Sequence, residues 1–356
     1  MTVSHNVVPV QRNGAELIEA TEASTERAAA ADCVLGFGCA TLYGLPSRRD
    51  RRAVVETAYD LGIRHFDVAP MYGLGIAESE LGDFAVAHPD VRIATKFGIE
   101  PTRLGYLAGH VQPPVRRVLQ RSTSLRQRVK RAGGGPGSGA IGRLLYRPRN
   151  YTVRYARHRL DTSLRALRTD RLSHFMLHEP AGASLEDRNE LVEFLERERD
   201  GGRIGSWGLA GNLSRMDAAL ALLSRRAPLL QMPYDLISGH CGPCPAAGQA
   251  TVVYGVVAGA LQRVRDALTQ HPQLERQCNE LLDADLADGS TLVRLLIRDA
   301  VRQNMSGQRT GGTVLISSTK PRHLELLCSA ARAALPHEAE VADLIRRTCR
   351  DTSDEK

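Results

Sequence analysis

Eight short apolar runs, each followed by a segment with helical spacing, constrain this chain more than any other feature of its sequence. Six of the runs cover residues 34–39, 171–177, 203–209, 228–231, 250–254 and 313–316, and two more end at Asp67 and at Lys96. Each is short, apolar and closed by glycine, proline or polar residues, the pattern of a buried strand. Between them, residues 51–61 put Val54, Val55, Ala58 and Leu61 on one helical face, and residues 77–87 do the same with Leu81, Phe84 and Ala85. Further helical stretches are expected at 151–167, 188–199, 216–223, across most of 260–304, at 322–334 and at 338–350. Eight parallel strands, each followed by a helix, close into a (β/α)8 TIM barrel of the α/β class, whose post-strand loops build one active site. An open doubly wound sheet is the alternative. Gly36-Phe37-Gly38 lacks the third glycine and the following acid of a dinucleotide fingerprint and lends it little support.

The alternation stops between the third and fourth units. Residues 99–150 contain Pro113-Pro114, a basic amphipathic stretch from Arg116 to Arg131 and a glycine-rich run around Gly133–Gly139. This reads as a long insertion, partly flexible, after strand three. Its charge explains the formal net charge of +7: between Glu100 and Asp161 there are 14 Lys/Arg and no acid, which leaves 33 basic and 40 acidic residues elsewhere. The basicity therefore belongs to one segment, and no specific nucleic-acid site is expected. Residues 116–131 are candidates for weak contact with a polyanion or a membrane surface. The bland reading of the insertion is a solvated flap, and the functional one is a lid that attracts an anionic cofactor or acidic substrate. Residues 1–32 read as a polar tail and 33–350 as the barrel with its insertion. No run approaches a membrane span, the tail lacks the pattern of a signal peptide, and seven scattered cysteines suit a reduced compartment, so a cytoplasmic location is expected.

The chemistry is concentrated between residues 64 and 96. A strand ends at Asp67, Tyr72 follows five residues later, and the next strand ends at Lys96; strand four ends at His178. A parallel barrel delivers all four to the carboxyl edge of its sheet. A free tyrosine titrates near 10 (roughly) and is inert at neutral pH. A neighbouring ammonium is expected to lower that value, and a carboxylate keeps the ammonium charged and in place. Tyr72 would then act as a general acid towards an oxygen that accumulates negative charge, with His178 as a second donor.

These residues also carry a family likeness. Phe66-Asp67 through Tyr72-Gly73, Glu80-Leu81-Gly82, Thr95-Lys96, Leu177-His178, Gly205 to Asn212, Gln231 and Ile316-Ser317-Ser318 resemble the aldo-keto reductases in order and spacing. The resemblance covers nearly all of residues 33–335. It implies a TIM barrel, an NAD(P)H-dependent carbonyl reductase and a catalytic tetrad at Asp67, Tyr72, Lys96 and His178. The cofactor implied is NADP, with NAD as the alternative, and the partner is a small-molecule carbonyl substrate. Gln231 matches the glutamine that binds the nicotinamide carboxamide, and Tyr254 the aromatic that stacks on its ring. Where the family usually has Gly-Val-Ser-Asn, this chain has Gly208-Leu209-Ala210-Gly211, so Asn212 is a candidate substitute one place later. Ser317, Ser318 and Thr319 suit a phosphate at the entry to the last barrel helix. His323 and Leu327 stand where many members have Arg and Asn, and Lys320 and Arg322 are near enough to serve instead.

A sensor or interaction subunit that binds cofactor without robust turnover is the competing class on the same barrel. Cys241-Gly242-Pro243-Cys244 has thioredoxin-type spacing and follows His240, but it lies in a loop and is one ligand short of a closed zinc site. It reads as a Gly/Pro loop with two thiols. No metal is expected. The substrate is not named by the sequence, because specificity in this architecture resides in loop side chains.

Overall fold

The barrel is closed by one pairing between strands that are neighbours in sequence. The computed structural model describes residues 35–109, 144–181, 185, 188–212, 218–240, 245–305 and 312–354. Its parallel strands are β1 (Leu35–Gly38), β2 (His65–Asp67), β3 (Arg92–Phe97), β4 (Leu172–His178), β5 (Ile204–Ala210), β6 (Leu229–Asp235), β8 (Ala250–Tyr254) and β9 (Thr313–Ile316). They hydrogen-bond in the order β5-β4-β3-β2-β1-β9-β8-β6, and β6 pairs again with β5, Gly208 opposite Leu229 and Ala210 opposite Gln231. A closed (β/α)8 barrel results. The sequence reading missed only β7 (Gly239–His240), two residues that turn back antiparallel on the end of β6. A strand that short carries no periodicity to detect.

The helices form where the apolar spacing predicts them. α1 (Arg48–Asp60) starts at Ser47, whose hydroxyl accepts from the Asp50 N–H at 3.3 Å, and it buries Val54, Val55 and Ala58. α2 (Ala77–Ala85) follows β2, and α3 (Val153–Leu167) precedes β4. Thr152 caps α3, and Arg168 ends it in the left-handed region at φ 54°. α4 (Arg188–Asp200) and α5 (Ala218–Arg226) flank β5. The long helical stretch before β9 divides into α6 (Val256–Gln270), α7 (Pro272–Leu282) and α8 (Gly289–Met305). Pro272 opens α7, where its missing N–H costs nothing. α9 (Pro321–Arg332) and α10 (Glu338–Asp354) complete the chain.

Strand residues alternate between two apolar environments. Ala94, Met176, Ala210, Leu229, Val252 and Leu315 come from six strands and from no helix, so their cluster is the barrel interior. Their neighbours in sequence, such as Phe175, Leu177, Trp207 and Leu209, pack outwards into a helix-lined core. Trp207 shows the direction: its indole N–H donates to Glu196 on α4 at 2.7 Å.

The ends of the insertion are built rather than loose. Pro101 and Tyr146 form an antiparallel bridge. Thr102 N–H bonds Leu145 O at 2.8 Å, Arg147 N–H bonds Glu100 O at 3.0 Å, and Asn150 N–H bonds Gly98 O at 3.1 Å. A short helix at 103–109 lies inside this stem. The tail at 1–32, the basic stretch at 116–131, the glycine-rich run and the Cys241/Cys244 pair lie outside the described residues. Among the described residues, Cys39, Cys278, Cys328 and Cys349 are buried and form no disulfide, and no helix is long and apolar enough to cross a membrane.

Candidate active site

Three adjacent strands and one turn bring the four predicted groups together at the carboxyl edge. Asp67 ends β2, Lys96 stands one residue before the end of β3, and His178 ends β4. Tyr72 opens a 3-10 turn, Tyr72–Gly75, that leads into α2. Lys96 Nζ donates to Asp67 Oδ1 at 2.6 Å, to Val68 O at 3.1 Å and to Tyr72 Oη at 3.4 Å. Asp67 and Lys96 are buried, and Tyr72 is partly exposed. The His178 ring meets the Tyr72 ring edge-on, centroids 6.1 Å apart. Tyr151 holds the strand end by donating its hydroxyl to His178 O at 2.6 Å.

Burial and charge set the protonation states. Burial raises the Tyr72 pKa, and Lys96, which pulls it down, does not overcome that effect. This corrects the expectation of a lowered tyrosine: the ammonium reaches the phenol only through a long bond, and burial outweighs it. Burial opposes the Lys96 charge, but Asp67 and Tyr72 together hold its pKa above the usual lysine value. His178 is held well below the ordinary histidine value by burial, then by Lys96 and Arg149. At neutral pH the cluster is a protonated phenol, an ammonium and a neutral imidazole.

Two buried polar atoms at this edge have no partner. Gln231, at the middle of β6, donates Nε2 to Asp67 Oδ2 at 2.9 Å and leaves Oε1 unbonded. His178 Nδ1 is likewise unbonded. Buried polar groups are normally satisfied, so these atoms point to a ligand or water. A cavity of about 400 Å³ opens between the ends of β8 and β9, lined by Gly255, Val256, Leu261, Ser317, Ser318 and His323 among others. Tyr254 ends β8 at its margin. Ser318 is partly committed to its own loop, since its hydroxyl accepts from Lys320 N–H at 3.0 Å and donates to Lys320 O at 3.1 Å. Thr319 is half-buried beside it, while Lys320 and Arg322 are exposed at the start of α9, outside that lining. Asn212 is exposed just past β5.

One family model matches most of this chain. The model described as the aldo/keto reductase family matches residues 34–344. The chain belongs to the aldo/keto reductase family. That family is a class of NAD(P)-dependent oxidoreductases. Among curated proteins, this aldo/keto reductase is 45% identical over 84 residues to a pyridoxal 4-dehydrogenase of Microbacterium luteolum, 22% of this chain and 24% of that one. It is 43% identical over 84 residues to a D-threo-aldose 1-dehydrogenase of a Pseudomonas species, 21% of this chain and 26% of that one. The chain thus matches about a quarter of the length of either relative. Among solved structures, it resembles a glycerol dehydrogenase of Gluconobacter oxydans with a TM-score of 0.57 at 16% identity, covering 88% of this chain and 91% of that one. An aldo-keto reductase of Klebsiella pneumoniae in complex with NADPH gives a TM-score of 0.54 at 19% identity over 88% and 91%. At such identities these likenesses describe the fold.

Sequence reasoning missed three residues around the tetrad of this aldo/keto reductase. Cys39, just after β1, is buried close enough to Asp67 for that charge, after burial itself, to raise its thiol pKa. Glu78 on α2 and Arg159 on α3 are almost fully buried and joined at 3.1 Å. The signal for the last two was available: each sits on the apolar face of its predicted helix, where a lone charge needs a partner.

Proposed function

We propose that this aldo/keto reductase interconverts an aldehyde or ketone and its alcohol with NADPH or NADH, and that Tyr72 is its general acid and base. One observation carries the reading: Lys96 bonds Asp67 and Tyr72 at once, beneath two buried atoms, Gln231 Oε1 and His178 Nδ1, that lack partners. The residues fit the cofactor. Gln231 and Asn212 would hold its carboxamide, Tyr254 its nicotinamide ring, and Ser317, Ser318 and Thr319 a phosphate, with Lys320 and Arg322 supplying positive charge. NADP is the favoured form. When bound, the cofactor supplies or accepts the hydride at the reacting carbon.

The chain's own groups do the rest. Neutral His178 holds the substrate oxygen without adding a charge. Tyr72 Oη gives that oxygen a proton as negative charge develops on it. Lys96 stabilises the phenolate left behind, and Asp67 keeps Lys96 charged and fixed. In the reverse direction the same phenolate takes the proton from an alcohol. The relatives named for pyridoxal and for an aldose support a small polar substrate whose reacting centre is an aldehyde or hemiacetal carbon.

Three further readings accompany this one. Residues 33–350 form one barrel domain with 99–150 inserted, behind a tail at 1–32. The protein works in the cytoplasm. The basic residues at 116–131 make weak contact with a polyanion or a membrane surface and do not read nucleic-acid sequence. The central experiment is fluorescence titration of the purified protein with NADPH and NADH, alongside an aldehyde panel and Tyr72→Phe. Binding with turnover that the variant loses supports the oxidoreductase. Binding without turnover in the unaltered protein favours the sensor, and no binding of either nucleotide overturns the reading.

A further inference from the structure

A buried chain of charges links the insertion stem to both halves of the proton-donating pair. Glu78 is 4% exposed and Arg159 3%. Glu78 Oε1 accepts from Thr95 Oγ1 at 2.7 Å, and its Oε2 accepts from an Arg159 terminal nitrogen at 3.1 Å. Thr95 is fully buried and immediately precedes Lys96 on β3. The other Arg159 terminal nitrogen faces Glu100 Oε2 at 3.5 Å. Glu100 belongs to the stem and meets Arg147, from the opposite side of that stem, at 3.2 Å. Arg159 also hydrogen-bonds the Tyr106 phenol, and Tyr106 lies on the short helix within the stem.

The turn that carries Tyr72 needs such support. Gly73, Leu74 and Gly75 have φ of 59°, 56° and 102°, and Leu74 pays the usual steric cost of the left-handed region. Conformations of this kind persist only where the surroundings over-determine them. Here the stem covers the turn from outside. A Cβ at Gly75 would come within 2.0 Å of the Tyr106 ring, and one at Gly109 would lie 2.8 Å from the carbonyls of Gly73 and Leu74. Glu78, on the first turn of α2, anchors its far end. Buried ion pairs add little net stability compared with apolar packing, but they fix geometry. The geometry at stake is the contact between Lys96 Nζ and Tyr72 Oη, which at 3.4 Å is already at the limit of a hydrogen bond.

We infer that Arg159 is a positioning residue: through Glu78 and Thr95 on one side and Glu100 on the other, it sets the Lys96–Tyr72 contact and couples it to the insertion stem. The inference rests on the oxidoreductase reading for its kinetic consequence alone. Arg159 is 3% exposed and out of reach of a ligand, so its loss acts on proton transfer and leaves nucleotide binding in place.

The test compares the full chain with Thr95→Val, Arg159→Lys and the charge-balanced double variant Glu78→Gln/Arg159→Met, each checked for folding by thermal melt. Thr95→Val removes one hydroxyl and guards against a double variant that does not fold. Activity is read with NADPH and 4-nitrobenzaldehyde. The double variant is expected to lose about 10- to 100-fold in kcat, as a misplaced donor does, with the KM for NADPH changed less than threefold. Thr95→Val is expected to move kcat in the same direction, and Arg159→Lys to recover part of the loss. Tyrosinate absorbance titration, with Tyr72→Phe as the subtraction, reads Tyr72 without any turnover. Its ionisation should move to higher pH when the lysine contact is loosened. Folded variants with unchanged kcat and unchanged Tyr72 ionisation overturn the inference and leave the cluster a packing device. If the unaltered protein oxidises no NADPH, the oxidoreductase reading fails separately and the absorbance titration alone decides the role of Arg159.

Discussion

At the scale of single residues, Tyr72 is governed by burial more than by its lysine. Its pKa is raised, so the proton-donating form persists throughout the neutral range. Reduction should therefore stay level as pH rises to roughly 10, the ordinary tyrosine value, and fall only beyond it. Oxidation of an alcohol, which needs the phenolate, should instead climb towards alkaline pH. His178 adds no acid limb near its usual value, because its pKa is held well below that range. Tyr72→Phe should lower kcat/KM by about 10²- to 10⁴-fold, the usual worth of a positioned acid, with NADPH affinity unchanged. Rate–pH profiles in both directions, with the variant as baseline, check this. An acid limb near pH 6.5 that His178→Gln abolished would count against the neutral imidazole.

At the scale of elements, the turn that carries Tyr72 depends on how α2 docks against α3. Gly82 is the contact point. A Cβ there would lie 2.3 Å from Ala166 O on α3, a backbone atom that has no rotamer through which to retreat. Gly82→Ala should destabilise the protein by about 1–3 kcal/mol, the range for overpacking, even though alanine is the better helix former. Urea unfolding at pH 7 measures it. An unchanged or raised midpoint would mean that the two helices can part without cost. Glycine at this position was legible in the sequence beside Leu81. Its reason was not, because the atom it avoids lies 84 residues away in the chain.

At the scale of the molecule, the barrel interior contains a histidine pair close enough to the tetrad that Lys96 and Asp67 act on it. His65 on β2 and His174 on β4 lie with ring centroids 5.4 Å apart, and His65 Nε2 and His174 Nδ1 have no partner. Burial pushes both down to about 3 from an ordinary 6.5. The folded state thus binds fewer protons than the unfolded chain below that ordinary value. Stability is full above pH 6.5 and falls as pH drops towards 3, by up to about 1.4 kcal/mol per pH unit for each histidine. Urea midpoints between pH 7 and 5 should fall less steeply in His65→Asn. An equal slope would assign the loss to carboxylates instead. The basic stretch makes a separate prediction. Seven Lys/Arg and no acid between residues 116 and 131 should give retention on heparin that weakens steeply with salt. Neutralising four of those arginines should abolish it, and retention that survives would place the polyanion contact elsewhere.

Local pattern determined the barrel and the identity of its four edge residues. Strand length, helical spacing and the positions of Asp67, Lys96 and His178 at strand ends, with Tyr72 in the turn after the first, are properties of short windows, and a parallel barrel has one carboxyl edge at which to gather them. Tertiary structure alone decided how those residues ionise and what holds them. The rise in the Tyr72 pKa comes from desolvation by the surrounding chain, against the lysine that spacing made visible. The Glu78–Arg159–Glu100 chain joins α2, α3 and the insertion stem across up to 81 residues. The Gln231–Asp67 bond spans 164. Distances across a closed sheet are set by packing, and no window of sequence contains them.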